Sequence, residues 1–200
     1  MTNADNGIDC PKVSVIIPTY NMGHYLEDAL ESVLTGAFEE VEVVVVDDGS
    51  TDDTATRMKP YVDATSHKYD PRVRFYQQEN KGKSVAVNLG FDIAKGRFIT
   101  VLDADDQLPE DSLSARYHAL REVENPDRGF SVGGFEVFKN DGTVAGQRSA
   151  PSETDPKTLY RQFCVRYKSP FSMNATLFSR ELLKEVGYLD ERLKRCQDID

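Results

Sequence analysis

Residues 41–50, VEVVVVDDGS, decide the fold of this 200-residue chain. The first six residues are β-branched except for Glu42, a composition typical of a central strand that is covered on both faces. The strand runs straight into an Asp-Asp pair and a turn sequence. Residues 13–21, VSVIIPTYN, and residues 98–106, FITVLDADD, repeat this arrangement of an apolar run followed by polar residues.

Segments with helical spacing separate the predicted strands. Apolar residues recur at helical spacing over residues 25–34 and 84–95, which predicts amphipathic helices. A short helix over residues 51–59 is predicted to end at Pro60, and a longer one over residues 109–123 to begin at Pro109. The predicted strands are residues 13–17, halted by Pro18, and residues 41–46, 73–76 and 98–102. This alternation predicts a parallel sheet with helices on its faces.

The pattern changes after residue 125. Residues 130–138 and the stretch that starts at Val144 predict an antiparallel hairpin with its turn at Asp141-Gly142. A helix over residues 156–163, a strand over 173–178 and a helix over 180–186 follow. We therefore expect an α/β fold, with a Rossmann-like, mostly parallel central sheet flanked by helices and a mixed or antiparallel C-terminal half. Residues 1–11 are a lead-in, and residues 12–200 are expected to form a single domain.

The net charge argues against one class of partner. The chain has 24 Lys and Arg against 34 Asp and Glu, a formal charge of −10. Proteins that bind the phosphate backbone of a nucleic acid need a positive face, so no nucleic-acid partner is expected. A small anionic ligand stays compatible with this charge, because a bound divalent cation can reverse the local sign of the potential.

The cellular compartment follows from what the sequence lacks. No run reaches the about 18 apolar residues of a transmembrane helix, and the polar residues 1–9 lack the pattern of a secretory signal. The three cysteines have no C-x-x-C spacing, so we interpret them as small hydrophobes in a reducing compartment. A cytoplasmic location is expected, and peripheral contact of the intact protein with the inner face of a membrane stays open.

Polar and acidic residues follow three strands of the predicted sheet, after residues 17, 46 and 102. The carboxyl ends of parallel strands share one edge, where ligands of open α/β sheets bind. Carboxylates that share a cleft repel each other unless a cation lies between them, and oxygen ligands without nearby His or Cys favour Mg²⁺ or Mn²⁺. Taken singly, residues 47–50 are also a common turn and residues 103–106 a plausible helix cap.

These motifs, in this order, resemble the signatures of family 2 glycosyltransferases. The quoted segments are residues 13–21, 46–52 and 102–106, and residues 78–90 are similar to a fourth block of that family. The resemblance extends over nearly the whole chain from about Lys12. It implies a GT-A fold, a sugar-nucleotide donor, a divalent metal and inversion at the anomeric carbon. It also implies a nucleotide-binding half, residues 12–108, and an acceptor-side half, residues 109–200.

The resemblance assigns roles to single residues on the donor side. Pro18 and Tyr20 match positions that cradle the nucleotide base, and Thr19 between them is taken as a further donor-binding residue. Asp48 matches the carboxylate that bonds the edge of the base, which is uracil in many members. Asp103 and Asp105 match the D-x-D pair, of which the first reaches the ribose and the second the metal; we count both as metal ligands. Lys83 matches a basic contact to the donor, and a solvated loop lysine is the alternative.

The resemblance also predicts the general base, Asp198, although Gln197 stands where the family usually has Glu. Asp200 is the competing carboxylate, and the chain is expected to be truncated because it stops two residues after Asp198. The predicted function is a metal-dependent transfer of a hexose-type sugar from a nucleotide-diphosphate sugar, foremost a UDP-sugar, to a hydroxyl of a saccharide or lipid-linked acceptor in polysaccharide or glycoconjugate synthesis. The alternative is an incomplete or non-catalytic sugar-nucleotide-binding domain.

Overall fold

The computed structural model describes residues 11–139, 141–152, 158 and 172–192. Its first half alternates strands and helices: β1 (Val13–Thr19), α1 (Gly23–Leu34), β2 (Val41–Asp47), α2 (Thr54–Val62), β3 (Val73–Gln77), α3 (Lys83–Ile93) and β4 (Phe98–Val101). The second half has α4 (Ser112–Arg121), β5 (Phe130–Val132), β6 (Phe135–Phe138), β7 (Val144–Arg148), β8 (Thr176–Ser179) and α5 (Arg180–Val186). Short 3₁₀ turns lie at Pro126–Arg128 and Met173–Ala175.

The described strands form a six-stranded sheet in the order β3-β2-β1-β4-β8-β5 and a separate pair, β6-β7. β1 pairs in parallel with β2 and β4, and β2 pairs in parallel with β3. β8 is antiparallel to both β4 and β5. The predicted α/β fold, mostly parallel with an antiparallel C-terminal part, is therefore confirmed.

Both faces of the sheet are covered, as the composition of β2 predicts. Every residue of β1 and β2 is buried. Val15, Ile17 and Val45 pack on one face with apolar residues of α1, α2 and α4. Ile16 and Val44 pack on the other face with α3. Because alternate residues of a strand point to opposite faces, an apolar run without alternation is what two covered faces require.

Pro18 does not halt β1, contrary to the prediction. β1 continues to Thr19 and stays paired with β2 as far as Asp47. On the other side, the amide of Leu102 bonds the carbonyl of Ile16, and the next ladder bond would need an N–H at residue 18. Proline has none, so the β1–β4 ladder stops at the Ile16–Val101 pair. At Pro18 and Thr19, β1 therefore stays paired with β2 but is no longer paired with β4.

Two predicted helix limits are wrong for reasons of hydrogen bonding. Pro60 lies inside α2, which continues to Val62. In the last turn its missing N–H removes a single bond, and the amide of Asp63 still bonds the carbonyl of Lys59. Helix α4 begins at Ser112 and not at Pro109, whose carbonyl accepts from the amide of Ser112 in a preceding turn.

The predicted hairpin over residues 130–148 is split between two sheets. β6 and β7 form it, whereas β5 pairs with β8 at the edge of the central sheet. Gly134 lies at the break, where an added Cβ would stand 2.7 Å from the carbonyl oxygen of Arg148. The predicted strand over residues 173–178 begins as the 3₁₀ turn, and the helix over 180–186 is confirmed as α5. The predicted helix over 156–163 lies outside the described residues except for Thr158.

Candidate functional site

The strand ends that the sequence marked as polar lie at one edge of the sheet. From β1 the chain passes outward through β2 to β3 and returns to β4 on the other side of β1. This reversal of strand order lies between β1 and β4, and crevices of this kind bind ligands in open α/β sheets. Because the β1–β4 ladder stops at Ile16 and Val101, the two strands diverge before Thr19 and Asp103. The missing N–H of Pro18 thus helps to open the crevice.

Asp48 is buried, with 4% of its surface exposed, and it organises the loop before α3. Its Oδ1 accepts hydrogen bonds from the amide of Lys81 at 2.9 Å and from Nε2 of Gln78 at 2.7 Å. Its Oδ2 accepts from the amide of Gly82 at 2.8 Å. A carboxylate offers about four acceptor positions, so one position on Oδ2 remains for a further donor.

Asp47, the first residue of the Asp-Asp pair, is engaged by the protein alone. It is completely buried, and its two oxygens accept from the amide of Ser50 and from Nε2 of Gln77, each at 2.9 Å. Its neighbour Gly49 has a φ of +76°, and an added Cβ would stand 2.8 Å from the amide nitrogen of Asn80. Asp47 and Gly49 therefore shape the turn, whereas the Asp48 carboxylate bonds the loop before α3.

Lys83, the first residue of α3, forms an ion pair with Asp103. The distance from its Nζ to Oδ1 of Asp103 is 2.7 Å, and the two side chains are 33% and 25% exposed. Since Asp48 holds Lys81 and Gly82, the loop it organises delivers Lys83 to the end of β4. The structure thus links Asp48, Lys83 and Asp103, and Lys83 is not a solvated loop lysine.

Three carboxylates lie together in the segment after β4. Asp105 and Asp106 are exposed, and Nδ2 of Asn174 donates to Oδ2 of Asp106. Partial desolvation raises the pKa of Asp106, and the negative charge of Asp103 raises it further, although the side chain keeps contact with solvent and the bond from Asn174 opposes the shift. Desolvation and acidic neighbours both disfavour the charged form of a carboxylate, so the two causes act in the same direction here.

The residues of this segment fit a hard divalent cation. Within the described residues, no group of three or more His, Cys, Asp or Glu is arranged as a complete metal-binding set. Mg²⁺ and Mn²⁺ sites in phosphate-using proteins are usually completed by the substrate's own phosphates, with one or two carboxylates from the protein. Asp103 and Asp105 supply that number of oxygen ligands.

The β1–α1 loop contains Tyr20, one of the two predicted base-cradling positions, and Asn21 ties this loop to the β2–α2 loop. Oδ1 of Asn21 accepts hydrogen bonds from the backbone amide of Thr51 at 2.8 Å and from that of Asp52 at 3.3 Å. The backbone amide of Asn21 donates to Oγ of Ser50 at 2.8 Å. Asn21 has a φ of 54°, a left-handed conformation that asparagine tolerates better than most residues. Neither loop can move without breaking these bonds.

Beside this junction lie three predicted donor-binding residues, Pro18 and Thr19 at the end of β1 and Tyr20 directly after it. Pro18 and Thr19 are buried, and within the described part of the chain the Thr19 hydroxyl has no hydrogen-bond partner. Tyr20 is 46% exposed. Its ring is therefore accessible for stacking at the mouth of the crevice.

Two residues that shape the site were not assigned a role from the sequence. The role of Asn21 had a local signal, since Asn21 follows a strand end and asparagine favours left-handed turns. Asn174 had none, because it lies 68 positions from its partner Asp106. Asp198 and Asp200 lie outside the described residues, so their role as base stays a prediction.

The fold and the acidic strand ends define a glycosyltransferase domain of the GT-A class. The family model "Glycosyl transferase family 2" matches residues 14–187, and the chain belongs to that family. The resemblance inferred from the sequence motifs is thereby confirmed.

Relatives named as glycosyltransferases support the same assignment. Glycosyltransferase GlyG of Streptococcus pneumoniae is 30% identical over 90% of this chain and 60% of its own length. The putative teichuronic acid biosynthesis glycosyltransferase TuaG of Bacillus subtilis is 37% identical over 66% of this chain and 50% of its own length. The chain therefore spans about half to three fifths of these relatives.

A solved structure shares the fold. The crystal structure of residues 1–349 of TarS from S. aureus aligns with a TM-score of 0.69 and 27% identity, over 94% of this chain and 53% of that chain. The same protein has been solved in complex with UDP and with UDP-GlcNAc. No helix among the described residues is both long enough and apolar enough to cross a membrane.

Proposed function

We propose that this chain is the catalytic domain of a metal-dependent, inverting glycosyltransferase that uses a nucleotide-diphosphate sugar. The observation that carries the proposal is the series of contacts from Asp48 through Lys81 and Gly82 to Lys83 and Asp103. It joins, at one sheet edge, an acceptor for a base, a cation for phosphates and a carboxylate for ribose or metal. A nucleotide-diphosphate donor presents all three of these groups.

The donor side favours a uracil base. The remaining acceptor position on Oδ2 of Asp48 suits the imide N–H of uracil, and the exposed ring of Tyr20 offers a stacking surface for the base. Pro18 and Thr19 line the same strand end. TarS has been solved in complex with UDP and with UDP-GlcNAc, which supports a UDP-sugar as the donor of this chain.

The diphosphate lies, in this proposal, between Lys83 and the residues of the D-x-D segment. Asp103 and Asp105 would hold Mn²⁺ or Mg²⁺, which when bound neutralises the charge that develops on the leaving diphosphate. Lys83 contributes a second positive charge from the start of α3, where the helix dipole also favours an anion. Lys83 exchanges its contact with Asp103 for one with the donor phosphate.

The transfer itself needs one base and no covalent intermediate. The acceptor hydroxyl oxygen attacks the anomeric carbon from the face opposite the nucleotide, and the bond from that carbon to the diphosphate oxygen breaks. Asp198 takes the hydroxyl proton, with Asp200 as the alternative base. A single displacement inverts the configuration at the anomeric carbon. A saccharide or lipid-linked acceptor in polysaccharide synthesis is supported by the teichuronic acid relative TuaG.

Calorimetric titration with UDP, in the presence and absence of Mn²⁺, tests the donor site. We expect UDP binding that depends on Mn²⁺. Asp105→Ala should abolish this metal-dependent binding, and Asp28→Ala, which removes an exposed carboxylate on α1, should leave it unchanged. Transfer is then measured with UDP-, GDP- and dTDP-sugars. Asp198→Asn should retain UDP binding and lose transfer.

Two outcomes would contradict parts of the proposal. UDP binding that ignores Mn²⁺, or no binding of any nucleotide diphosphate, excludes the metal-bridged donor site. Tight, metal-dependent binding without transfer from any donor to any acceptor tested would favour the alternative, a sugar-nucleotide-binding domain.

A further inference from the structure

The side-chain amide of Asn88, in the middle of α3, holds a segment more than 100 positions away in the sequence. Its Nδ2 donates to the carbonyl of Leu189 at 2.9 Å and to Oε1 of Glu191 at 3.0 Å. Its Oδ1 accepts from the amide of Leu189 at 3.0 Å. Asn88 is 8% exposed, and both its hydrogens and its oxygen are engaged.

The held segment, residues 187–191, has no strand or helix of its own to fix it. Gly187, with a φ of +89°, ends α5 and turns the chain toward α3. The rings of Tyr188 and Phe91 then pack with their centroids 5.3 Å apart. The Tyr188 hydroxyl also has a hydrogen bond with Asp92 of α3. Ring packing alone tolerates sliding, whereas directed bonds, of which the Asn88 side chain supplies three, specify a single register.

The three bonds between Asn88 and residues 189 and 191, called the Asn88 clamp below, are connected to the donor side by helix α3. Its first residue, Lys83, pairs with Asp103, and Asn88 lies five residues further along the same helix. At about 1.5 Å per residue, the two contacts are separated by about 7–8 Å along the helix axis. The helix therefore sets the distance between residues 187–191 and the proposed donor site.

We infer that Asn88 is a positioning residue for the transfer reaction. It fixes residues 187–191, and thereby the start of the stretch that leads within seven residues to Asp198, relative to the donor. The inference rests on the proposed function, since it assigns the clamp a task in bringing base and donor together. The side-chain bonds of Asn88 go to Leu189 and Glu191, so Asn88 acts through the segment that it holds.

Kinetics of Asn88→Leu, a variant with the same branching at Cγ that removes all three bonds, test this role. We expect kcat to fall about 10- to 100-fold, as misplacement of a reacting group by about 1 Å does, while the Kd for UDP with Mn²⁺ changes less than about twofold. Val87→Ala is the matched control, because it weakens the packing of the same helix and keeps all three hydrogen bonds of Asn88 in place. It should lower the melting temperature and leave kcat unchanged.

A charge-exchange pair makes the test specific to the amide. Asn88→Asp puts a carboxylate opposite Oε1 of Glu191 and the carbonyl of Leu189, and it should lower kcat at least as much as Asn88→Leu. Adding Glu191→Gln supplies an N–H donor to the new carboxylate and should recover a measurable part of kcat.

Several results would overturn the inference. They are a wild-type kcat in Asn88→Leu, an equal fall in kcat and UDP affinity, or the same loss of kcat in Val87→Ala at matched stability. Hydrogen exchange gives an independent reading if the wild-type chain binds UDP but transfers no sugar, the result that would overturn the proposed function instead. The amide of Leu189 should exchange faster in Asn88→Leu, and unchanged exchange would show that no clamp exists.

Discussion

Asp48→Asn separates the two tasks of the buried carboxylate at the end of β2. In the wild type, Oδ1 and Oδ2 together accept three N–H donors from Gln78, Lys81 and Gly82. An asparagine can keep its oxygen toward Gln78 and Lys81, but its NH₂ group then faces the amide of Gly82. One bond to a charged acceptor is lost and a buried N–H is left without a partner.

The expected cost follows from those contacts. A hydrogen bond to a charged group contributes about 1.5–3 kcal/mol, and an unsatisfied buried donor costs about 1–3 kcal/mol, with overlap between the two because relaxation recovers part. We expect the free energy of unfolding to fall by about 2–4 kcal/mol. In a domain of this size each kcal/mol lowers the melting temperature by about 2–4 °C, so the shift should be about 5–15 °C.

The same change should weaken donor binding. The NH₂ group would replace the Oδ2 position that we assign to the imide N–H of uracil, so a donor would face a donor. Loss of that bond lowers the affinity for UDP by about 10- to 100-fold. The assays are thermal unfolding followed by circular dichroism and calorimetric titration of UDP with Mn²⁺ below the melting range of the variant.

Gln78→Met is the matched control for this experiment. It removes one of the three donors and leaves the carboxylate with its two backbone partners, so we expect a loss of about 1 kcal/mol in stability and an unchanged UDP affinity. An Asp48→Asn protein that bound UDP as tightly as the wild type would refute the base-binding role. A variant with an unchanged melting temperature would refute the loop-organising role.

The remaining predictions concern three other contacts. Asn21→Asp keeps the acceptor for Thr51 and Asp52 and should retain UDP affinity in calorimetry, whereas Asn21→Gly keeps the backbone freedom but loses the acceptor and should bind about tenfold more weakly; equal affinities would contradict the junction between the two loops. Lys83→Met should leave the melting temperature nearly unchanged, since partly exposed ion pairs contribute about 0–1 kcal/mol, yet should weaken UDP binding measurably. Desolvation alone would raise the pKa of Asp70, but the hydrogen bonds from Arg72 lower this pKa overall. The ionised Asp70 therefore stabilises the folded state above its unfolded-state pKa, and this stabilisation is lost as the pH falls through its folded-state pKa. Thermal unfolding should therefore show Asp70→Asn as less stable than the wild type at pH 6, and the difference should shrink as the pH falls below the unfolded-state pKa and vanish below the lowered folded-state pKa.

The central strands could be predicted from sequence because burial on both faces of the sheet alone determines their composition. β2 is covered on both faces, so nearly every residue is apolar, and the run stands out from its surroundings. The hairpin was harder, because residues 130–138 form one apolar stretch while the tertiary structure divides it between two sheets at Gly133 and Gly134. Close approach of the Arg148 backbone to Gly134 decides that division, and local pattern contains no record of it.

Pro18 shows the same limit in one residue. The missing N–H of Pro18 correctly indicated that β1 loses its pairing with one neighbouring strand. The sequence could not tell whether that neighbour is β2 or β4. The sheet order answers that question, because the bonds of even-numbered residues in β1 point to β4 and those to β2 come from odd-numbered ones.

The order of strands and helices, the acidic strand ends and the membership of a glycosyltransferase family were determined by the sequence itself. Each depends on residues that are adjacent or regularly spaced, and burial, turn geometry and motif order act over such short ranges. Only the tertiary structure decided that Asp48 holds the loop that delivers Lys83 to Asp103, and that Asn88 holds Leu189 and Glu191. Hydrogen bonds act over about 3 Å in space whatever the separation along the chain. Partners that lie 20 to more than 100 positions apart therefore become visible only once the sheet has brought them together.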